Sequence, residues 1–318
     1  MKTACIYHSV DLDGWMSAAI VEHWWILKTK SIYDIENNSI DFLRFNYGQP
    51  IPDLLEYDQV IMVDISFPAE TMKDIRLRLK AKFIWIDHHI SAINDNNKWI
   101  DVEDDDDLTF PFNGLRNTEF AACELTWKFL FPNEPMPEIV RLLGMYDSFR
   151  HKGTSEEQKV LEFQYGARQC ISNYEEAYKN LTSILPRVED IQRKGSYIYQ
   201  YLCTEAKQSY KNGFPIQFAF KIPNVPLIKE GDQFHTYKFI CINKERFNPV
   251  NFGIDYHADG YDGAACFHRT SNGKWAFSLY NDNGKVDCSL IAKQYGGGGH
   301  KGAAGMILTD EQFSKLIN

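Results

Sequence analysis

The chain lacks any uninterrupted run of roughly 18 apolar residues, so no membrane-spanning helix is expected. It lacks a C-x-x-C pair. Its seven cysteines (Cys5, Cys123, Cys170, Cys203, Cys241, Cys266 and Cys288) are odd in number and widely spaced. That pattern excludes a zinc ribbon or a disulfide frame and reads as buried thiols in a reducing compartment. It lacks an excess of basic charge: 34 Lys and Arg stand against 43 Asp and Glu, for a net charge of −9. A protein that coats long nucleic acid would need the opposite balance, so no long-duplex binding is expected. The opening "MKTACIYHSVDLDG" has one lysine and an apolar run that stops at Tyr7, which is not a secretory leader. A soluble cytoplasmic protein is the expectation, with no internal repeat and no low-complexity segment. A homodimer is compatible with the sequence.

What is present is enough apolar material, 44% of 318 residues, for a large core in one or two domains. Short apolar runs alternate with helical patterns over the first 150 residues. "TACIYH" (Thr3–His8), "SIDFLRFNY" (Ser39–Tyr47), "QVIMVDIS" (Gln59–Ser66) and "KFIWIDHH" (Lys82–His89) read as strands. Gly14–Thr29, Pro68–Ala81, Thr118–Phe131 (with Thr118 as its cap) and Glu138–His151 read as helices. The near-continuous apolar character of the third and fourth strands suits a sheet covered on both faces. This predicts an α/β domain with a doubly wound, mostly parallel sheet over residues 1–180. A helical connector over 181–212 leads to a smaller α+β domain over 213–318, in which "TSNG" (Thr270–Gly273) reads as a hairpin turn. The acidic run Glu103–Asp107 sits in a polar stretch and reads as a solvated loop, because five consecutive side chains do not converge on one ion.

The strand ends carry the chemistry. The first strand runs into "HSVDLDG", supplying His8, Asp11 and Asp13. The third runs into Asp64, the fourth into Asp87, His88 and His89, and a later helix delivers Asp147. In an open α/β sheet the crevice beyond the C-terminal strand edges is where ligands bind. Carboxylates mixed with imidazoles suit Mn²⁺, Fe²⁺ or Zn²⁺, and the oxygen-rich balance favours Mn²⁺. Asp11 and Asp13, two residues apart in an extended stretch, are expected to face the crevice and serve different ions. Asp64, from a central strand, is placed to bridge a pair about 3.5–4 Å apart, the arrangement used in phosphoryl hydrolysis. Gly14 is expected to let the backbone turn tightly behind these groups.

Near the other end stands "YGGGGHKGAAG" (Tyr295–Gly305). Four glycines in a row are costly in chain entropy and are expected where backbone amides are presented to an anion, with His300 beside them. His23, His235 and His257 read as surface or core residues, and Tyr165, Tyr197 and Tyr201 as packing rather than base-stacking residues.

Taken in order, "HSVDLDG", "VDIS", "IDHH", Asp147 and "GGGGHKGAAG" resemble the DHH phosphoesterase superfamily with its DHH-associated C-terminal domain. Within it the chain is most similar to the small oligoribonuclease and cyclic-nucleotide phosphodiesterase branch, sometimes labelled exopolyphosphatase-related. The resemblance covers almost the whole chain. It implies two catalytic Mn²⁺ ions, with Asp11, Asp13, Asp64, His88 and Asp147 as ligands and Asp64 bridging. His8 is a further candidate ligand, although it stands three residues before Asp11 where the family has four. The resemblance also implies His89 towards the substrate phosphate and Asp87 orienting an imidazole. Gly298, Gly299 and His300 would hold the terminal nucleotide. The family's phosphate-gripping "S-L-R-S" is here "SLYN" (Ser278–Asn281), so Tyr280 replaces the arginine, and Arg269 or Arg150 is expected to compensate.

The function expected is Mn²⁺-dependent hydrolysis of short single-stranded oligonucleotides or nucleotides, with two domains closing over the substrate. Cyclic dinucleotides, phosphoadenosine-type nucleotides and polyphosphate are alternative substrates. A nucleotide-binding sensor without turnover is the alternative of another class, against which stands the presence of every ligand.

Overall fold

Alternate residues of four short apolar strands face opposite ways, and helices cover both sides. The computed structural model describes residues 1–29, 38–97, 112–183, 187–221, 234–245 and 247–317. The acidic run Glu103–Asp107 lies outside the described residues. The chain divides into two units, Met1–Ile198 and Tyr199–Asn318. Among the described residues no helix is long and apolar enough to cross a membrane.

The first unit opens with β1 (Lys2–His8), α1 (Leu12–Lys28), β2 (Ser39–Phe45), β3 (Gln59–Val63), α2 (Ala69–Leu79) and β4 (Phe83–Ile86). The strands form one parallel sheet in the order β2-β1-β3-β4. Ala4, Ile6, Val60, Met62, Phe83 and Trp85 pack on one face against Met72, Ile75 and Leu79 of α2. Cys5, Tyr7, Ile61, Val63, Ile84 and Ile86 pack on the other against Ala18 and Val21 of α1. The period of two and the burial of both faces are what a parallel sheet requires.

The unit continues through α3 (Ile90–Asn97), α4 (Ala122–Leu130), α5 (Glu138–Asp147), α6 (Glu157–Cys170), α7 (Tyr174–Leu181) and α8 (Arg187–Lys211), which runs across the division. A helical core of Met16, Ile20, Trp127, Val140, Leu143 and Phe163 ties α1 to α4, α5 and α6. The stretch after Phe112 lies along the open edge of β4. Trp85 donates to the Asn113 carbonyl at 2.8 Å and Asp87 to Leu115 at 3.1 Å. The Arg116 guanidinium closes this edge onto the carbonyls of Trp85 (2.9 Å) and Phe112 (2.8 Å).

One expectation about helix starts fails. Thr118 is not the cap of α4; the helix begins at Ala122, with Ala121 at its cap position. The cap is supplied from far away, by a carboxylate described below.

The second unit builds a mixed six-stranded sheet from β5 (Phe214–Lys221), β6 (Phe234–Asn243), β7 (Gly263–Arg269), β8 (Trp275–Tyr280), β9 (Gly298–Gly299) and β10 (Ala303–Leu308). The order is β5-β6-β7-β8-β10-β9, with only β6 and β7 parallel. The helices α9 (Cys288–Gln294) and α10 (Asp310–Ile317) complete it, and Ile291, Phe277, Leu279 and Met306 lie in its core. Thr270–Gly273 makes the expected hairpin turn, with Gly273 at φ +79°. The predicted pairing of an α/β domain with a smaller α+β domain is what the chain adopts.

Candidate metal centre

The strands β1, β3 and β4 end level, because Tyr7 pairs with Val63 and Val63 with Ile86. The residues that follow, His8, Asp64 and Asp87, therefore emerge side by side at the C-terminal edge of the sheet. Asp64 adopts φ +59°, a left-handed conformation that L-residues rarely enter and that Asp and Asn tolerate best. Its amide stays on the ladder, donating to the Ile86 carbonyl at 3.0 Å. The turn leaves the side chain buried between two histidines. Asp64 Oδ2 stands 3.5 Å from His8 Nδ1, and Oδ1 stands 3.4 Å from His88 Nε2. Oδ1 is buried and, among the described residues, has no hydrogen-bond partner.

The two aspartates of "DLD" are used differently. Asp11 is the N-cap of α1: Oδ1 accepts the Gly14 amide at 2.9 Å, and Oδ2 lies 2.9 Å from His8 Nδ1. Asp13 already sits in the first turn of the helix, not in extended chain, and is 3% exposed. Its two oxygens accept the amides of Ala122 (2.9 Å) and Cys123 (2.8 Å) at the start of α4. This is the cap that Thr118 does not provide. Asp13 Oδ2 also lies 3.7 Å from His88 Nε2. Asp11 and Asp13 thus fall in different sets of donor atoms, and it is helical geometry, not the expected extended chain, that separates them. Gly14 acts by close approach, since a Cβ there would meet the His8 carbonyl oxygen at 2.0 Å. Asp147, the last residue of α5, brings Oδ2 to 3.4 Å from His88 Nε2.

Three sets of donor atoms result, each lying within 4.8 Å of one another: His8, Asp11 and Asp64; Asp13, His88 and Asp147; and Asp64, His88 and His89. Six residues singled out in the sequence as ligands thus converge, His8 among them. Asp64 shares one oxygen with each side. Oxygen donors in excess over imidazole, together with a buried carboxylate oxygen lacking any partner among the described residues, are the donor chemistry a hard or borderline divalent cation satisfies.

The electrostatics are those of crowded acids. Burial, with the charges of Asp64 and Asp147, pushes Asp13 well above the usual carboxylate range. Desolvation and Asp64 likewise raise Asp147 to about 6, against the pull of His88. Burial would raise Asp64, but the neighbouring imidazoles of His8, His88 and His89 hold it below the usual range. Burial would lower the imidazoles, yet Asp11 and Asp64 carry His8 up to about 10. Asp64, Asp13 and Asp147 do the same for His88. Protons on the imidazoles are thus the positive charge that holds these acids together.

Asp87 and His89 stand beside this group. Asp87 is fully buried, and its Oδ1 accepts the amides of His88 (2.7 Å) and His89 (3.2 Å) and faces His89 Nδ1 at 2.7 Å. That contact fixes the imidazole and leaves its Nε2 for another partner. Burial opposes protonation of His89, but Asp87 outweighs it and raises its pKa. The sequence reading missed Tyr47. Its ring, 52% exposed, lies with its centroid 6.1 Å from that of His8 and 6.4 Å from that of His89. Its signal was there: like the other site residues, it follows a strand end.

In the second unit the glycine run is partly explained by the fold. Gly296 and Gly299 have φ of +76° and +140°. Gly297 lies so close to β10 that a Cβ would meet the Gly305 carbonyl oxygen at 2.1 Å. The amides of Gly296, Gly297 and His300 are taken by the carbonyls of Lys293, Ala292 and Ala303, so the expected row of free amides is absent there. Gly298 has open space around it and no such constraint. Gly298, Gly299 and His300 are exposed together. Arg269 is not with them and does not stand in for the missing arginine. It pairs across the sheet with Trp275, at the far end of β8 from Tyr280, whereas the glycine strand pairs at the Ala304 end of β10. Its guanidinium is bound to Asp310 at 3.2 Å. Arg150, in the first unit, is engaged by the buried Glu124 and by Ser148. His257 bridges the Tyr261 carbonyl and Asp282, and His23 stacks on Phe131, both as structural residues. The His235 side chain lies outside the described residues. Tyr165 is buried as expected, whereas Tyr197 and Tyr201 are exposed on α8.

Comparison with known proteins adds to this geometry. Residues 3–145 match the model of the DHH family, N-terminal domain, and residues 256–318 match that of the DHHA1 domain. An uncharacterized protein of Acanthamoeba polyphaga mimivirus is 24% identical, over 96% of this chain and 67% of its own. An exopolyphosphatase-related protein from Bacteroides fragilis superposes with a TM-score of 0.49 at 15% identity, over 99% of this chain and 90% of its own. A pGpG-specific phosphodiesterase from Vibrio cholerae superposes with a TM-score of 0.46 at 13% identity, over 100% and 96%.

Proposed function

The chain belongs to the DHH phosphoesterase superfamily and is a phosphoester hydrolase, and from that premise we propose that it cleaves phosphodiester bonds in short single-stranded oligonucleotides with two Mn²⁺ ions. The observation that carries this reading is the division of the Asp64 carboxylate, with Oδ2 towards His8 and Oδ1 towards His88. A carboxylate with one oxygen on each of two donor sets is what a pair of ions needs as a bridge.

One ion would be held by His8, Asp11 and Asp64, the other by Asp13, Asp64, His88 and Asp147. When bound, such ions acidify a water molecule to nucleophilic strength at neutral pH and offset charge on phosphoryl oxygens. The protein does the rest. Asp13, Asp64 and Asp147 bring the negative charge that makes the pocket a cation site before any phosphate arrives. Asp87 keeps His89 Nδ1 occupied, so Nε2 holds the proton that a non-bridging or leaving oxygen takes up. Exposed backbone at Gly298 and Gly299, with His300, is assigned to the substrate's terminal nucleotide. The net charge of −9 offers no electrostatic track for a long polymer, which favours short substrates.

A panel of dinucleotides, longer oligonucleotides, cyclic dinucleotides, phosphoadenosine-type nucleotides and polyphosphate, each with Mn²⁺ and with chelator, tests the reading. Dinucleotides should be cut fastest, and only with metal. Hydrolysis of polyphosphate without hydrolysis of dinucleotides would refute it.

A further inference from the structure

A cavity of about 480 Å³ opens in the first unit between the segment after β2, the start of α2 and the helix α3. It adjoins the proposed centre through three short pieces of chain. Ser66 lies two residues beyond Asp64, Ser91 lies two beyond His89, and Tyr47 has its ring against both His8 and His89. A group seated in this cavity would thus lie beside the candidate metal-binding residues.

The lining is of the kind that takes a flat heterocycle. Phe45, Ile51, Phe67, Pro68 and Ala92 supply apolar wall, and Tyr47 supplies an exposed aromatic face. Largely apolar cavities of a few hundred Å³ with a few polar groups are the usual form of small-molecule sites. Base stacking on such a ring is a sequence-tolerant source of affinity. The polar group that α3 offers is an acceptor, the exposed carboxylate of Asp95, which matches the N–H edge of guanine. The Asn96 side chain is buried and donates to the Ala92 carbonyl at 2.9 Å, so it forms wall rather than a contact for a ligand.

We infer that this cavity is a nucleobase subsite, fitted to a purine with a donor edge, that is, to guanine. The inference rests on the reading of the centre as one that binds the attached phosphate. It commits Tyr47 to stacking and Asp95 to the base edge, and makes the nucleotide flanking the cleaved bond a determinant of specificity.

The test is titration calorimetry of the full chain loaded with Mn²⁺, using GMP, AMP, CMP and inorganic phosphate. GMP should bind at least about tenfold tighter than CMP, with AMP between them. Tyr47→Ala, which removes the platform, and Ala69→Trp, which fills the cavity, should each weaken GMP by about tenfold and leave inorganic phosphate within about twofold. Melting curves of both variants establish that they fold. GMP bound no tighter than CMP, or GMP affinity unaltered in both folded variants, would overturn the subsite. Because binding is read without turnover, absence of phosphodiester cleavage with this pattern intact would refute the function proposed above and leave the subsite standing.

Discussion

Asp13 holds the backbone amide of Cys123 at 2.8 Å across 110 residues of chain. A single buried carboxylate thereby caps α4 and faces His88 within the proposed centre. The site and the fold are coupled at this residue. Asp13→Leu should lose both capping bonds and destabilise the metal-free protein by about 1–2 kcal/mol in urea denaturation. Asp13→Asn keeps an acceptor for one amide and should fold with a smaller loss, yet still bind Mn²⁺ more weakly. Equal stability of wild type and Asp13→Leu would show that the cap carries no weight.

Asp64→Asn separates geometry from charge. Asn tolerates the left-handed conformation as well as Asp does, so the strand end should be preserved. Turnover should fall by at least about a hundredfold while the melting temperature of the chelated protein stays close to wild type. Activity within a few-fold of wild type would remove Asp64 from the bridging role.

Asp87→Asn addresses the His89 imidazole. Its proton is held there by the neighbouring carboxylate, against burial. Removing that charge lets the pKa fall, so activity should be lost at lower pH on the alkaline limb. The maximal rate should drop by about 10–100-fold, with KM changed far less. A lower rate with an unmoved pH profile would indicate a purely structural effect.

Metal-free stability should depend on pH in a definite direction. His8 and His88 are carried up to about 10, above their unfolded value of about 6.5. Their contribution is complete below about pH 6.5 and is lost as pH rises towards 10. Asp147, raised to about 6, works the same way, because its ionisation costs stability that returns as pH falls towards 4. Asp64, held low, opposes this only under more acidic conditions. The melting temperature of the chelated protein should therefore decline between pH 6 and 9, and saturating Mn²⁺ should flatten that decline. A chelated protein as stable at pH 9 as at pH 6 would contradict the charge arrangement.

How much of this was legible in the sequence follows from the range of each interaction. The sheet was readable because burial on both faces leaves nearly unbroken apolar runs at Gln59–Val63 and Phe83–Ile86. The candidate ligands stood out because they lie at or beside the ends of strands and helices, where the chain leaves the core. Capping of α4 by Asp13 was not, because nothing local at Ala122 points to a residue 109 positions earlier. Placing Arg269 near the glycines failed for a similar reason. Nearness in sequence to a hairpin does not say which end of the strand faces the loop, and the antiparallel register decides it. Tyr47 was passed over because an aromatic after a strand reads equally well as packing.

The central claim is that Asp64 joins two cation sites. Anomalous diffraction at the manganese edge from crystals grown with Mn²⁺ tests it most directly. Two peaks about 3.5–4 Å apart are expected, one beside His8 and Asp11 and one beside His88 and Asp147, each within bonding distance of a different Asp64 oxygen. A single peak, or peaks that Asp64 does not touch, would contradict the account.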